Sequence, residues 1–399
     1  METDNQISGA IANLVLKQQP SVEGVKSFLV KCARNDVSDI LLQGGAKIWG
    51  ERYGRQICVT PNFNLLQNRM DLIVSELWGD HIRGNLRQGK IHNTTFQIKG
   101  QEEDPYGLKK GEVCRFRVNF TQATVNGNSG VISATLRVLN SHIPKLKSLN
   151  LEQELEENLL PASGLGLIGG QTGSGKSTLM AATLQHSGEN FIDRKIITLE
   201  HPVEYLLGGK DWIAPEPAQS EVGVDIPSFA DGLSLSALRR APKIIGIGEL
   251  LEAKAFEAAL VAGESGHFCM GTLHISSVGE AFPRSLFMYP AGYREAIAYS
   301  LLKAIKYIVV QKLIRSLDGK RIAVRELVVF DQEYKNKLLE EPYYQWGKII
   351  DRDLAKSGQT IPQKAFKDYQ EGLISKQDMI EVAGTMKDFR KLEDGTYGN

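Results

Sequence analysis

The segment GGQTGSGKST, residues 169–178, follows the pattern of glycine, four residues, then Gly-Lys-Ser/Thr, with Gly170 opening it, Gly175 and Lys176 closing it and Ser177 following. A loop of this kind wraps backbone N–H groups around nucleotide phosphates, sets a lysine on the β- and γ-oxygens and offers a hydroxyl to Mg²⁺. Gly170, Gln171, Thr172, Gly173, Ser174, Gly175, Lys176, Ser177 and Thr178 are therefore the candidate ATP-binding residues, with Ser177 the candidate Mg²⁺ ligand. The pattern needs a buried strand before it and a helix after it, because free N–H groups and the macrodipole at a helix N-terminus favour an anion. Both flanks comply: Leu165, Leu167 and Ile168 form an apolar run, and Lys176 to His186 reads as a helix stopped at Gly188.

The remaining sequence bounds the class. The chain has 399 residues, enough for two or three domains. Lys plus Arg and Asp plus Glu number 47 each, so no global field attracts nucleic acid or anionic lipid. Cys32, Cys58, Cys114 and Cys269 are scattered without a C-x-x-C pair, which argues against a zinc element or disulfide framework and for a reducing cytoplasm. The opening METDNQISGAIANLVLKQQP is acidic where a signal peptide is basic. The longest apolar stretch, Ala296 to Val310, is interrupted by Lys303 and Lys306 and reads as a buried helix, so membrane association is expected through partners.

Short strands are expected at Ile40–Leu42, Ala46–Trp49 and Gln56–Val59, separated by QGG and YGR turns, then an amphipathic helix carrying Leu65, Leu66, Met70, Ile73, Leu77 and Trp78. Arg115–Val125 and Val131–Leu139 flank NGNSG, a hairpin signal. The first third thus reads as a small α+β domain. NSHIPKLKSLN reads as a connector, with Asn150 capping a helix from Leu151 to Leu160 that stops before Pro161. Strands at Leu165–Ile168, Lys195–Glu200, Ile244–Gly248 and Phe268–Leu273 then alternate with helices, as a parallel sheet requires, and a polar helical tail begins near residue 333.

Hydrolysis also needs groups that position the attacking water and neutralise phosphoryl charge. KIIGIGE ends a strand with Glu249, at the sheet edge where ligands bind in open α/β folds. Gly248 stands where an Asp-Glu pair would have its aspartate, so Glu249 is left to hold a water. TLEHPVEY closes a strand with Glu200 and places Glu204 in a proline-stiffened turn, and either carboxylate could reach that water. GESGHFCMGTLH brackets a strand with His267 and His274, which read either as structural histidines or as sensors of the γ-phosphate.

These four segments, in this order and spacing, resemble the Walker A, Asp box, Walker B and His box of the secretion ATPases, which power type II and type IV secretion, conjugative transfer and type IV pili. SDILLQGGAKIWGERYGR and RFRVNF with LRVLNSHIP resemble the PAS-like N-terminal domain of the compact pilus-retraction members, and AFKDYQEGLIS their C-terminal helices. Within the compact branch, GGAKIWGERYGRQICVT is most similar to the type IVB secretion and conjugation ATPases. Two positions depart from the pattern: His201 replaces the aspartate of the Asp box, and Leu251 and Glu252 replace an arginine and an aspartate after Walker B.

The resemblance implies an α/β chain with a PAS-like domain at 1–140, a hinge at 141–150, a RecA-like P-loop NTPase domain at 151–332 and a helical C-terminal region at 333–399. It implies ATP and Mg²⁺ as cofactors, a cytoplasmic homohexamer recruited peripherally to inner-membrane secretion, conjugation or pilus platform proteins, and no direct nucleic-acid binding. Glu204 and Glu249 are then the groups that activate water. Arg117 and Arg137, matching arginines in the family's N-terminal motifs, are candidate fingers reaching a neighbour's nucleotide; arginines alternating along strands also commonly just solvate a sheet face. Pilus retraction, a RecA-type nucleic-acid translocase and a nucleotide-binding subunit without turnover are the alternatives.

Overall fold

A computed structural model describes residues 14–52, 55–101, 106–139 and 142–398. The acidic opening (residues 1–13), Tyr53 and Gly54 of the expected YGR turn, and Asn140 and Ser141 of the expected connector lie outside the described residues. The chain divides into two compact units, Met1–Ser141 and His142–Asn399.

In the first unit, helix α1 (Val22–Arg34) is capped by Ser21, whose hydroxyl accepts the Gly24 N–H at 3.0 Å, and Val25, Phe28, Leu29 and Cys32 recur on its buried face. Strands β1 (Val37–Gln43), β2 (Trp49–Arg52) and β3 (Arg55–Cys58), helices α2 (Gln67–Trp78) and α3 (Asp80–Arg87), and strands β4 (His92–Lys99), β5 (Val113–Val125) and β6 (Asn128–Leu139) follow. The six strands form an antiparallel sheet ordered β3-β2-β1-β6-β5-β4. Alternate residues Phe116, Val118 and Phe120 of β5 and Ala134 and Leu136 of β6 share a core with Met70, Ile73 and Val74 of α2. The β5–β6 hairpin turns on Asn126 and Gly127 alone, at φ 49° and 80°, the two-residue turn that strand twist prefers, so β6 starts at Asn128, earlier than Val131. The strand expected at Ala46 begins only at Trp49, because a turn through Gly45, at φ 74°, occupies the preceding residues.

The second unit opens with a 3₁₀ turn (Leu146–Leu149) and α4 (Gln153–Asn158), then β7 (Gly164–Gly169), α5 (Lys176–Asn190), β8 (Ile196–Glu200) and β9 (Ala218–Glu221). An irregular helical stretch leads to β10 (Ile244–Ile247), α6 (Ala253–Glu264), β11 (Phe268–Leu273), α7 (Ala281–Leu286), α8 (Ala291–Ala304), β12 (Ile305–Arg315) and β13 (Arg321–Val329). The sheet is ordered β13-β12-β7-β11-β10-β8-β9, parallel except for β13. Every residue of β7, β10 and β11 is buried, as continuous apolar runs in a sheet covered on both faces require. Helices α9 (Gln332–Leu339), α10 (Trp346–Lys356), α11 (Ile361–Gln370), α12 (Lys376–Ala383) and α13 (Met386–Glu393) contribute Leu338, Trp346, Ile350, Met379 and Phe389 to the same core as Leu165 and Ile247. Among the described residues, no helix is long and apolar enough to cross a membrane.

Three local expectations are corrected. Asn150, left-handed at φ 47°, closes the 3₁₀ turn and does not cap α4, whose N-cap is Glu152. The run Ala296–Val310 is not one helix: α8 ends at Ala304, and Ile305, Ile308, Val309 and Val310 belong to β12, which pairs with β7. Apolar runs do not distinguish buried helix from buried strand, and here β-branched residues favour the strand.

Helix α5 also continues past Gly188, which is there for close packing: a Cβ would lie 2.3 Å from the Trp212 ring, and the indole is held by its N–H to the Pro215 carbonyl at 3.2 Å. Gly188→Ala gains about 1 kcal/mol of helix propensity but overpacks a site where such clashes cost ~1–3 kcal/mol. A lower urea midpoint is therefore expected, and a higher one would show that Trp212 moves aside freely.

Candidate active site

Four neighbouring parallel strands end at one edge of the second sheet. In the order β7, β11, β10, β8 they present the phosphate loop after Gly169, His274 after Leu273, Glu249 just past Ile247, and Glu200 as the last residue of β8. At a strand spacing of ~4.8 Å, the strand leading to Glu249 lies about 10 Å from the phosphate-loop strand and that of Glu200 about 14 Å. Glu200 reaches the loop less directly than Glu249 does.

The phosphate loop is shaped by backbone that other residues resist. Gly170, Gly173 and Gly175 have φ of 148°, 78° and 86°, and a Cβ on Gly170 would lie 2.3 Å from Ser174 Oγ and 2.5 Å from the Gln311 carbonyl. Helix α5 starts at Lys176 without a side-chain cap, so its first N–H groups remain for an anion. Lys176 Nζ donates to the carbonyls of Gly170 and Gln171 at 2.8 and 2.9 Å. Burial holds its pKa below the ordinary lysine range, against the opposing pull of Glu249 and Glu204. Uncapped amides with a lysine among them fit nucleotide phosphates, and the Ser177 hydroxyl next to that lysine fits a hard cation such as Mg²⁺.

Glu204 is delivered by its loop. The Tyr205 hydroxyl meets Thr178 Oγ1 at 2.8 Å, pinning the loop after β8 to the first turn of α5. Gln219 donates to both the Tyr205 carbonyl, at 2.8 Å, and Glu200 Oε1, at 3.0 Å. Glu200 also accepts from Thr198 Oγ1 at 2.6 Å, and burial raises its pKa. Glu200 is buried and engaged in holding the strand-to-loop junction, whereas Glu204 is half-buried. His201, at a cis peptide with Pro202, is exposed, as are Leu251 and Glu252.

The two histidines part company. His274 Nε2 lies 3.2 Å from Glu249 Oε1, at the phosphate-loop edge. His267 precedes β11, and its carbonyl accepts the Gly164 N–H at the start of β7. That is the other edge of the sheet, about 20 Å away along a six-residue strand. The expectation that His267 senses the γ-phosphate is corrected: a parallel sheet puts both ends of one strand at opposite edges.

In the first unit, Arg117 and Arg137 stand directly opposite each other on β5 and β6, on the face away from the core. Like charges so placed repel. Asp39, the partner of Arg137 on β1, accepts from Arg137 Nε at 2.8 Å, while the cross-strand neighbours of Arg117 are Thr95 and Arg137 itself. Arg115, on the same face, is buried.

Sequence reasoning overlooked Tyr205, Gln311 and Arg325. Gln311 of β12 donates from Nε2 to the Ser174 carbonyl at 2.6 Å and accepts Arg325 Nε at 2.7 Å. Arg325 in turn donates to the carbonyls of Leu149 and Asn150 at 2.9 and 3.2 Å. This buried relay ties the phosphate loop to the segment that enters the second unit. A polar glutamine within an apolar strand was the available signal.

The chain is similar to several known proteins. The family described as "Type II/IV secretion system protein" matches residues 108–353. The type IV pilus ATPase PilU of Pseudomonas aeruginosa is 31% identical over 289 residues, 72% of this chain and 73% of PilU. The crystal structure of the Legionella pneumophila ATPase DotB matches with a TM-score of 0.81 at 30% identity, covering 93% of this chain and 98% of that one. The pilus retraction motor PilT, solved with bound ADP, matches with a TM-score of 0.75 at 28% identity, covering 94% and 100%. On the family match over residues 108–353 and the likeness to these proteins, the chain belongs to the type II/IV secretion system protein family, the secretion ATPase superfamily that includes the type IV pilus and DotB-like ATPases.

Proposed function

We propose that this chain hydrolyses ATP, with Mg²⁺, as a homohexameric ring that drives a type IVB secretion or conjugation apparatus from the cytoplasmic face of the inner membrane. The observation that carries the chemistry is that the phosphate loop, with Lys176 Nζ held on the Gly170 and Gln171 carbonyls, and the Glu249–His274 pair stand at the same edge of one parallel sheet. Lys176 leaves the Gly170 and Gln171 carbonyls for the β- and γ-phosphates, and the α5 amides hold their oxygens. Glu204 takes the proton of the attacking water, and Glu249, steadied by His274, orients it. Ser177 would hold Mg²⁺, which when bound would supply charge neutralisation at the phosphates. Steady-state phosphate release from the purified chain, with and without Mg²⁺, tests this directly, and absence of turnover would refute it.

The secretion reading leans on the DotB match, and the PilU and PilT matches favour pilus retraction as the second reading. The two predict different neighbours: relaxase and type IVB core genes for the first, pilin and platform genes alone for the second. Pull-down of the corresponding membrane protein decides between them. A nucleic-acid translocase would instead show DNA-stimulated turnover with a steep salt slope.

Arg117 and Arg137 are the proposed fingers in trans, since a guanidinium suits the spreading charge of the γ-phosphoryl group and its supply by a neighbour makes turnover conditional on assembly. The Asp39 contact holds Arg137 in the isolated subunit, so reaching a nucleotide requires breaking an exposed ion pair worth only about 0–1 kcal/mol. An Arg137→Ala chain, inactive alone, is expected to recover part of its activity when mixed with Lys176→Ala, because mixed rings contain sites with an intact loop from one chain and an intact arginine from the other. No recovery in rings shown to be mixed counts against the assignment, and full activity of Arg137→Ala alone ends it.

A further inference from the structure

The loop that leaves β11 starts with His274 and runs to Glu280 between two sets of contacts. Ile275 and Val278 anchor it in the core. Its backbone is held from the C-terminal side by two carboxylates. Glu326 of β13, only 3% exposed, accepts the Val278 N–H on Oε1 at 2.6 Å and the Ile361 N–H on Oε2 at 3.2 Å. Ile361 is the first residue of α11, so one carboxylate joins the loop to a helix start. Asp351 of α10 accepts the Gly279 N–H at 3.0 Å and the Ser277 hydroxyl at 3.3 Å.

The backbones also touch without side chains between them: a Cβ on Gly279 would lie 2.2 Å from the Gly347 carbonyl of α10, and one on Gly347 would lie 2.5 Å from the Gly279 carbonyl. Beside this clamp is a cavity of about 710 Å³ lined in part by Gly170, Gln171, Ser276, Gln311, Glu326 and Asp351, which leaves the loop room to shift on its phosphate-loop side. Burial pushes the Glu326 carboxyl up to about 7 and raises Asp351 as well, against the opposing pull of the Val278, Ile361 and Gly279 N–H donors, the Ser277 hydroxyl and Lys364.

We infer that Glu326 and Asp351 are positioning residues that lock the loop after His274 to α10 and α11, so that the C-terminal helices set where His274 stands against Glu249. The inference rests on the reading of that edge as the ATPase site. Movement of α10 or α11 is transmitted to the histidine through two amide–carboxylate contacts, and a nucleotide that shifts His274 is felt at the start of α11. Neither carboxylate belongs to the phosphate loop or to the Glu204 and Glu249 pair, so both are expected to act on turnover and little on binding.

Hydrogen–deuterium exchange on the full chain, paired with steady-state kinetics, tests this in Glu326→Gln and Asp351→Asn. The Asp351 carboxylate bonds the loop and does not bond Ile361. If the loop and α11 move as one, Asp351→Asn speeds exchange at residues 361–365 as well as in the loop, by about fivefold or more. Loosening confined to 275–280 overturns the inference. In Glu326→Gln, which sets an amide donor against a backbone donor, kcat is expected to fall roughly tenfold to a hundredfold with KM little changed. Unchanged kcat with a loosened loop overturns it too. A wild-type chain that releases no phosphate would sink the ATPase reading, and the exchange comparison would still decide whether the clamp couples loop to helix.

Discussion

Replacing Lys176 with alanine is expected to lower ATP turnover by on the order of a hundredfold to a thousandfold, the scale of losing one preorganised charge at the transferred group. Nucleotide affinity falls with it. The ammonium donates to the Gly170 and Gln171 carbonyls within the loop, and without it the loop offers an incoming triphosphate only backbone N–H donors. The Walker glycines and the α5 amides remain, so residual binding persists. Phosphate release and titration with a fluorescent ADP analogue measure the two effects, with far-UV circular dichroism confirming the fold. Unimpaired turnover in the folded variant would remove the phosphate loop from the mechanism.

The second large effect is expected from Glu204→Gln, which keeps the shape of the side chain and loses its capacity to take a proton. General-base loss costs about a hundredfold to ten-thousandfold. Binding should survive, because Tyr205 still pins the loop to Thr178 and Gln219 still holds the Tyr205 carbonyl. Glu249→Gln is expected to lose turnover as well, since an amide holds water and the His274 contact less strongly. The informative outcome is the split. A Glu204 variant that hydrolyses ATP normally beside a dead Glu249 variant would transfer both roles to Glu249. Glu200→Gln differs in kind: its carboxylate is engaged with Thr198 and Gln219.

The edge of the second sheet was legible in the sequence because its motifs are local. A phosphate loop, a strand-terminal glutamate and a histidine after an apolar strand each announce their own backbone, and parallel pairing of β7, β11, β10 and β8 aligns their ends. What was not legible depended on contacts distant in the chain. His267 and His274 look equivalent until the sheet assigns them to opposite edges. Gln311 carries no motif, and its partners Ser174 and Arg325 are fixed only when β12 lies beside β7 and β13. The helix-to-strand change at Ile305 was hidden because burial on both faces erases the periodicity that separates the two. In the first unit, the polar β4, whose His92, Asn93, Thr94 and Thr95 show no apolar alternation, was missed for the converse reason.

Arg325 and Glu326 are consecutive residues of β13, and strand geometry sends consecutive side chains to opposite faces. Arg325 reaches the Gln311 relay under the phosphate loop, while Glu326 reaches the loop behind His274. Adjacent codons therefore write to two separate supports, one beneath the phosphate loop and the other behind His274. Inheritance can adjust either support without altering the phosphate-loop motif or the carboxylates of Glu204 and Glu249.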